Sequence, residues 1–249
     1  MSNPASSSSP SRAWGRSPRL SLNAIGKYLD ANAVQRLRIL RSQKFPDDYR
    51  VVYYEPAAQA IKALLVNGEE DRAAWLAERQ QSVVESLLDA PGADRAVRAR
   101  MVKARSNAKA IESALSAYKN GLFDGLEFEP IGRNAPKVQV SGMAVSIRPD
   151  LKVRATDPRK KKPLGILKLY ISATPLSATA ADAIASYLRV HARDAGLVEP
   201  ELLGHDGGLL FDPRGGQLVR SPRAWKSRAR EIGAICTEAA AVWPGLQPA

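Results

Sequence analysis

Apolar residues change their spacing near residue 120, and this change limits the folds that the chain can adopt. Between residues 94 and 118 they recur at alternating intervals of three and four, which places them on one face of a single long helix. Between residues 137 and 154 they alternate with polar residues, as they do in strands with one face in water. The sequence therefore predicts a mixed α/β (α+β) chain, with a helical N-terminal half followed by a sheet.

Caps, turns and spacing divide the chain further. Helix start and stop signals, such as Ser21 and Asn67-Gly68, predict helices over residues 22–30, 32–43, 55–66, 69–88, 94–118, 178–195 and 222–242. Strands are predicted within residues 137–154 and over residues 165–171, 201–204 and 208–212. We expect three regions: a disordered basic tail over residues 1–20, a helical region over residues 21–120, and an α/β core with a C-terminal helix over residues 121–249.

Positive charge is concentrated in three segments. Residues 1–50, 148–168 and 214–230 each carry a net charge of +6, while the whole chain of 249 residues carries +12 and the rest therefore −6. Lys and Arg side chains near phosphates release condensed counterions, so clustered charge of this kind is typical of nucleic-acid-binding surfaces. A basic protein with solvated charged faces is the alternative.

The few cysteine and histidine residues exclude other classes. Cys236 is the single cysteine, and His191 and His205 are the two histidines, so disulfide frameworks and Cys/His zinc clusters are excluded. The first residues contain no apolar signal segment, and no apolar stretch is long enough to span a membrane. We therefore expect a cytoplasmic protein that contacts no membrane.

One lysine is unusual within the predicted strands. Lys168 lies in the apolar run over residues 165–171, where an unpaired charge is costly to bury. Asp150 lies on the polar face of the preceding strand, and residues on neighbouring strands of a hairpin can approach the same point. We expect the two side chains to meet, either as a structural ion pair or as a site for a divalent metal and a phosphate.

Pro149-Asp150, followed after a basic turn by the strand that carries Lys168, resembles the motif of the PD-(D/E)XK nuclease superfamily. The resemblance implies a nuclease-like mixed sheet flanked by helices. It implies that Asp150 binds Mg²⁺, while Lys168 orients the attacking water and stabilises charge on the phosphate. Ile166 stands where the motif has its second acid.

The resemblance therefore requires a second carboxylate from another part of the chain. Glu112, on the helix before the sheet, is the first candidate for a catalytic role, and Glu127 and Glu129 are the others. The resemblance further implies a DNA substrate, a bacterial or mobile-element setting, and a role in genome maintenance or antiviral defence.

Basic residues near the motif, and others after the last predicted strand, are the candidate nucleic-acid contacts. They are Arg148, Lys152, Arg154, Arg159, Lys160, Lys161, Lys162, Arg220, Arg223 and Lys226.

Three functions remain open at the level of sequence. The first is a Mg²⁺-dependent phosphodiesterase that acts on DNA. The second is a catalytically inactive nuclease-like fold that binds nucleic acid, or that serves as a subunit of a nucleoprotein or defence complex, with salt-sensitive affinity and no need for metal. The third is a helical adaptor that binds acidic proteins. His191, His205 and Cys236 are predicted to have structural roles.

Overall fold

The computed structural model describes most of the chain. The described stretches are residues 17–46, 54–88, 94–132, 137–156, 163–172, 174–204 and 207–248. The predicted tail up to residue 16, His205, and the predicted nucleic-acid contacts Arg159, Lys160, Lys161 and Lys162 lie outside these stretches.

Within the described stretches the chain forms seven α-helices and eight strands. The helices are α1 (Leu22–Leu29), α2 (Ala33–Lys44), α3 (Glu55–Asn67), α4 (Glu70–Leu88), α5 (Arg95–Lys119), α6 (Ala178–Asp194) and α7 (Trp225–Val242). The strands are β1 (Arg19–Ser21), β2 (Leu126–Pro130), β3 (Val138–Val140), β4 (Met143–Ser146), β5 (Leu151–Ala155), β6 (Pro163–Leu169), β7 (Gly208–Asp212) and β8 (Gln217–Arg220). None of these helices is both long enough and apolar enough to cross a membrane. The predicted α/β (α+β) class is confirmed.

The predicted helix ends coincide with capping interactions. Ser21 Oγ accepts the Ala24 N–H at 3.2 Å, and Asn32 forms a reciprocal capping box with Gln35. Gly68 closes α3 with a φ of +67°, a left-handed conformation that glycine adopts without a Cβ clash. Because these contacts join residues close in sequence, the bounds of the helices were predictable.

Four short segments differ from the prediction, and two of them, β2 and β8, lie where no strand was predicted. Residues 201–204 were predicted as a strand, but a 3-10 turn covers Pro200–Leu202, since Pro200 lacks the N–H that a strand ladder needs. Arg19 and Leu20 were predicted to belong to the tail, but they begin β1, which pairs in parallel with β4. A strand of three residues is too short to show a period, so only its distant partner defines it.

The strands form two sheets. The larger sheet has the order β2-β5-β6-β7-β8, and the smaller has the order β1-β4-β3. In the larger sheet β6 and β7 are parallel and are joined through α6, because parallel neighbours require a crossover connection. Lys168 lies close to the carboxyl end of β6, the central strand of this sheet.

Apolar side chains pack on both faces of the larger sheet. Leu167 and Leu169 of β6 pack with residues of α3, α4 and α5 in one cluster. Ile166 packs with residues of α1, α2, α6, α7 and β4 in the other. Because side chains alternate along a strand, the two clusters occupy opposite faces. The helices predicted over residues 21–120 therefore contribute to two separate layers.

The contact between α6 and β7 depends on a glycine. A Cβ at Gly208 would lie 1.9 Å from the carbonyl oxygen of Ala185 and 2.6 Å from the backbone nitrogen of Arg189. Only a residue without a Cβ allows this approach. The close contact holds α6 against the strand next to β6.

Candidate nucleic-acid interface

Lys168 and Asp150 form an ion pair between neighbouring strands, as the sequence predicted. Lys168 Nζ lies 2.9 Å from Asp150 Oδ2, and the side chains are 12% and 17% exposed. β5 and β6 are antiparallel with Leu151 opposite Leu167, so the residue before β5 comes to lie beside Lys168. The two charges are therefore largely withdrawn from water.

Asp150 also binds the backbone of β6. Its Oδ2 accepts the Leu169 N–H at 2.9 Å, and its own N–H donates to the Leu167 carbonyl at 2.8 Å. One carboxylate oxygen thus binds both an ammonium group and an amide. Charge-assisted bonds of this kind fix a side chain, and they give Asp150 a structural role that needs no ligand.

The acid position of the motif is part of the apolar core. Ile166 is 0% exposed and packs in the cluster that contains α6. Within the described stretches, no three His, Cys, Asp or Glu side chains are grouped as metal ligands. Mg²⁺ requires oxygen ligands in octahedral geometry, and Asp150 offers one carboxylate that Lys168 already binds. These residues do not fit a two-acid metal site, and Mg²⁺ dependence stays a prediction.

Glu112, the predicted third catalytic residue, does not approach this pair. It is exposed on α5, whose buried residues pack in the same cluster as Leu167 and Leu169. Lys168 alternates with these two leucines and therefore projects from the opposite face of β6. The larger sheet thus separates Glu112 from Lys168.

Glu127 and Glu129 lie on β2 at the edge of the larger sheet. Glu129 is opposite Lys152 and Glu127 is opposite Arg154, and Arg154 Nη1 lies 3.1 Å from Glu129 Oε1. Cross-strand pairs of opposite charge stabilise a sheet edge modestly. Lys152 and Arg154 were predicted to contact nucleic acid, but they lie beside these acids, which offset their positive charge.

Lys168 borders a pocket at the junction of the two sheets. The pocket has a volume of about 380 Å³, and four of the side chains that line it are cationic. They are Arg19, Lys137, Arg148 and Lys168. No carboxylate from the described stretches lines it. We call this cavity the basic pocket.

The cations of the basic pocket come from separate parts of the chain. Arg19 belongs to β1, Lys137 precedes β3, Arg148 follows β4, and Lys168 belongs to β6. In the part of the chain that the structure describes, Asp150 pairs with Lys168, and the other three cations form no ion pair. Three uncompensated charges at one cavity repel one another and attract an anion.

Polar groups from the start of α1 line the same pocket. Ser21 and Asn23 belong to this segment, and Ser146 of β4 joins them. The first N–H groups of a helix carry partial positive charge and favour anions. The pocket therefore combines cationic, hydroxyl and amide groups, which are the donors that phosphate oxygens bind in nucleic-acid complexes.

The remaining predicted contacts do not line the basic pocket. Arg220 ends β8, Arg223 follows it, and Lys226 lies in the first turn of α7. Lys226 Nζ is 5.6 Å from the centre of the Trp225 ring, and the guanidinium carbon of Arg189 is 4.7 Å from it. This group of two cations around an aromatic ring was not predictable from the sequence, because the packing of α6 on α7 brings Arg189 to Trp225.

A further set of cations lies on α5, outside the three segments in which the sequence concentrates positive charge. Residues 95–109 contain six cations and no acid. The six are Arg95, Arg98, Arg100, Lys103, Arg105 and Lys109. The residues outside the three basic segments carry a net charge of −6, because acidic residues there outnumber the basic ones. This sum does not show that six cations are grouped on α5. A charge count in a short moving window would have found them.

His191 and Cys236 are buried, in keeping with the predicted structural roles. His191 is 1% exposed, and neither ring nitrogen has a hydrogen-bond partner within the described stretches. Burial lowers the pKa of His191, although Asp194 opposes this shift. Burial raises the pKa of Cys236 to about 11. Both side chains are therefore neutral near pH 7, and neither is placed to act as a general base or nucleophile.

No protein-family model matches the chain, and no curated protein sequence matches it. The resemblance to PD-(D/E)XK nucleases therefore rests on Asp150, Lys168 and the strands that carry them. It stays a prediction about ancestry and chemistry.

Proposed function

We propose that this protein binds nucleic acid at the basic pocket and needs no divalent metal to do so. The observation that supports this most directly is the convergence of Arg19, Lys137, Arg148 and Lys168 on one cavity without a described carboxylate in its lining. Phosphate groups of nucleic acids are bound by donors of this kind. The net charge of +12 also favours association with a polyanion.

In this proposal Asp150 positions Lys168 for phosphate binding. An ammonium group has three N–H donors, and Asp150 Oδ2 occupies one of them. The remaining donors are available to a phosphate oxygen in the basic pocket, which Lys168 lines. Lys168 then acts as a fixed cation and does not activate a water molecule.

The expected ligand is a single strand. A cavity of about 380 Å³ has the size of pockets that bind small organic molecules, so it accommodates one nucleotide and its phosphate. A double helix is too wide to enter it. The proposal therefore concerns the phosphate and sugar of an unpaired nucleotide.

A Mg²⁺-dependent nuclease is the second candidate function, and the Asp150–Lys168 pair is the observation that favours it. That function requires a second carboxylate at the metal, and Ile166 occupies the corresponding position in the core. Phosphate binding requires no second carboxylate. The nucleic-acid-binding role, alone or as a subunit of a nucleoprotein assembly, is therefore the better supported of the two.

The proposal is tested by fluorescence anisotropy with a labelled single-stranded oligonucleotide, in the presence of EDTA, over a range of salt concentrations. Wild type is expected to bind with an affinity that falls as salt rises. Lys137→Gln/Arg148→Gln should reduce the slope of log K against log[salt] by about 1.4, since each phosphate contact on a single strand contributes about 0.7. Arg72→Gln/Arg79→Gln, which removes the same charge from α4, is the matched control and should change the slope little.

Equal slopes for the pocket variant, the control and wild type would contradict the proposal. A parallel incubation of plasmid and oligonucleotide with Mg²⁺ or Mn²⁺ tests the second candidate function. Metal-dependent cleavage that Lys168→Met and Asp150→Ala both abolish would establish the nuclease instead.

A further inference from the structure

Helices α4 and α5 each have an outer part that lies outside the core cluster around Leu167 and Leu169. α5 has 25 residues and is therefore about 37 Å long. Its buried residues that belong to the core cluster all lie within residues 110–117, and the last such residue of α4 is Ala77. The outer parts, residues 78–88 and 95–109, contribute no residue to this cluster, and the two helices pack closely on each other. We call these two outer parts the arm.

One side of the arm carries a line of exposed cations. Four cations and one valine follow one another on α5 at intervals of three, four, three and four, which places them on one face of the helix. They are Arg95, Arg98, Val102, Arg105 and Lys109, and all five are exposed. We call this line the arm stripe. It is about 21 Å long, from the rise of 1.5 Å per residue.

Three cations of the arm stripe have no counter-ion among the described residues. Arg95, Arg105 and Lys109 form no ion pair with a carboxylate in the described stretches. Packing of α5 relies on a different face, which includes the buried Ala104 and Ala108. The charges of Arg95, Arg105 and Lys109 therefore contribute little to folding, and a partner of opposite charge can approach these three residues.

We infer that the arm stripe binds the phosphate backbone of duplex nucleic acid. A helix is rigid over this length, and four cations spaced about 7 Å apart on average along a straight line match a stiff polyanion. Residues 95–117 contain no aromatic residue and no histidine, so the bases of a flexible single strand have no ring to stack on. The contact is with the backbone and is independent of base sequence.

This surface is separate from the basic pocket. The part of α5 in the core packs against one face of the larger sheet, whereas Lys168 projects from the other face. The inference therefore adds a second contact to the proposed function, and each contact can be removed without the other. A protein with both surfaces can hold a duplex and an unpaired nucleotide at the same time.

The test uses the full chain and a short labelled duplex in EDTA. Arg95→Gln/Arg98→Gln/Arg105→Gln/Lys109→Gln keeps good helix formers at all four positions. It should reduce the slope of log K against log[salt] for the duplex by about 3 to 4, since each phosphate contact on a duplex contributes about 0.9. The smaller variant Arg105→Gln/Lys109→Gln should reduce it by about 2. The control Arg72→Gln/Arg79→Gln removes the same charge as the smaller variant and should reduce it by less than about 0.5.

Circular dichroism and thermal melting of each variant should match wild type, because the four side chains are exposed. A duplex slope in the fourfold variant equal to that of wild type would overturn the inference, and so would binding of wild type to single strands but not to duplex. Neither of these results would contradict single-strand binding at the basic pocket. A loss of single-strand affinity in Lys137→Gln/Arg148→Gln, with duplex affinity retained in that variant, would support both sites.

Discussion

Replacing one partner of the Lys168–Asp150 pair should destabilise the protein more than replacing both partners together. Asp150→Asn removes the counter-ion of Lys168, whose side chain is only 12% exposed. Lys168→Met leaves the Asp150 carboxylate with the Leu169 N–H and no cation. The double variant places neutral groups of similar size at both positions, so that no charge is left uncompensated.

The expected magnitudes follow from the burial of the pair. Breaking a fully buried ion pair by removing one partner costs about 3–5 kcal/mol, and the remaining exposure of 12% and 17% reduces that cost. We expect each single substitution to lower the free energy of unfolding by about 2–3 kcal/mol. The double substitution should cost about 1–2 kcal/mol, which corresponds to a coupling energy of at least about 2 kcal/mol.

Urea denaturation near neutral pH, followed by tryptophan fluorescence, measures all four proteins of this cycle. The Arg154–Glu129 pair is a control, because it also joins neighbouring strands, at 3.1 Å, but its side chains are 48% and 45% exposed. The cycle Arg154→Gln and Glu129→Gln should give a coupling below about 1 kcal/mol. Additivity of the Lys168 and Asp150 substitutions within about 0.5 kcal/mol would refute the reasoning.

Two further predictions concern buried residues. Burial lowers the pKa of His191. As the pH falls below about 6.5, the unfolded state therefore binds a proton at this residue more readily than the folded state does, and the free energy of unfolding decreases. His191→Phe should flatten the fall in urea midpoint between about pH 6.5 and pH 5, and an unchanged fall would contradict this. Gly208→Ala should lower the free energy of unfolding by at least about 2 kcal/mol, because the methyl group would lie 1.9 Å from the Ala185 carbonyl oxygen. Gly132→Ala, which meets nothing within 4 Å, should leave the thermal midpoint unchanged, and equal midpoints for both variants would disprove the steric argument.

The helices were predictable because their signals are local. The caps at Ser21 and Asn32 act over three residues, and the buried stripe of α5 repeats within one element. β1 lacked such a signal, since its three residues become a strand through pairing with β4. Local chemistry therefore fixes where an element begins and ends, while short strands depend on a distant partner.

The meeting of Lys168 and Asp150 was also predictable, since strand alternation and a hairpin connection place both on one face of neighbouring strands. Glu112 shows the limit of that reasoning. Its position beside the apolar stripe of α5 was correct, but sequence did not reveal which face of the sheet α5 covers. The distance between two elements depends on how the layers pack, and periodicity does not encode it.

The basic pocket depended on tertiary structure. Its four cations come from β1, the segment before β3, the segment after β4, and β6, so no window of sequence contains them all. The arm stripe is an intermediate case. Its spacing is visible in residues 95–109, whereas its exposure depends on which face of α5 packs against the neighbouring helices. By itself the sequence determined the fold class, most of the elements and the central ion pair. Which distant cations share a cavity was decided by packing, because side-chain periodicity specifies the buried side of an element and not the neighbours that cover it.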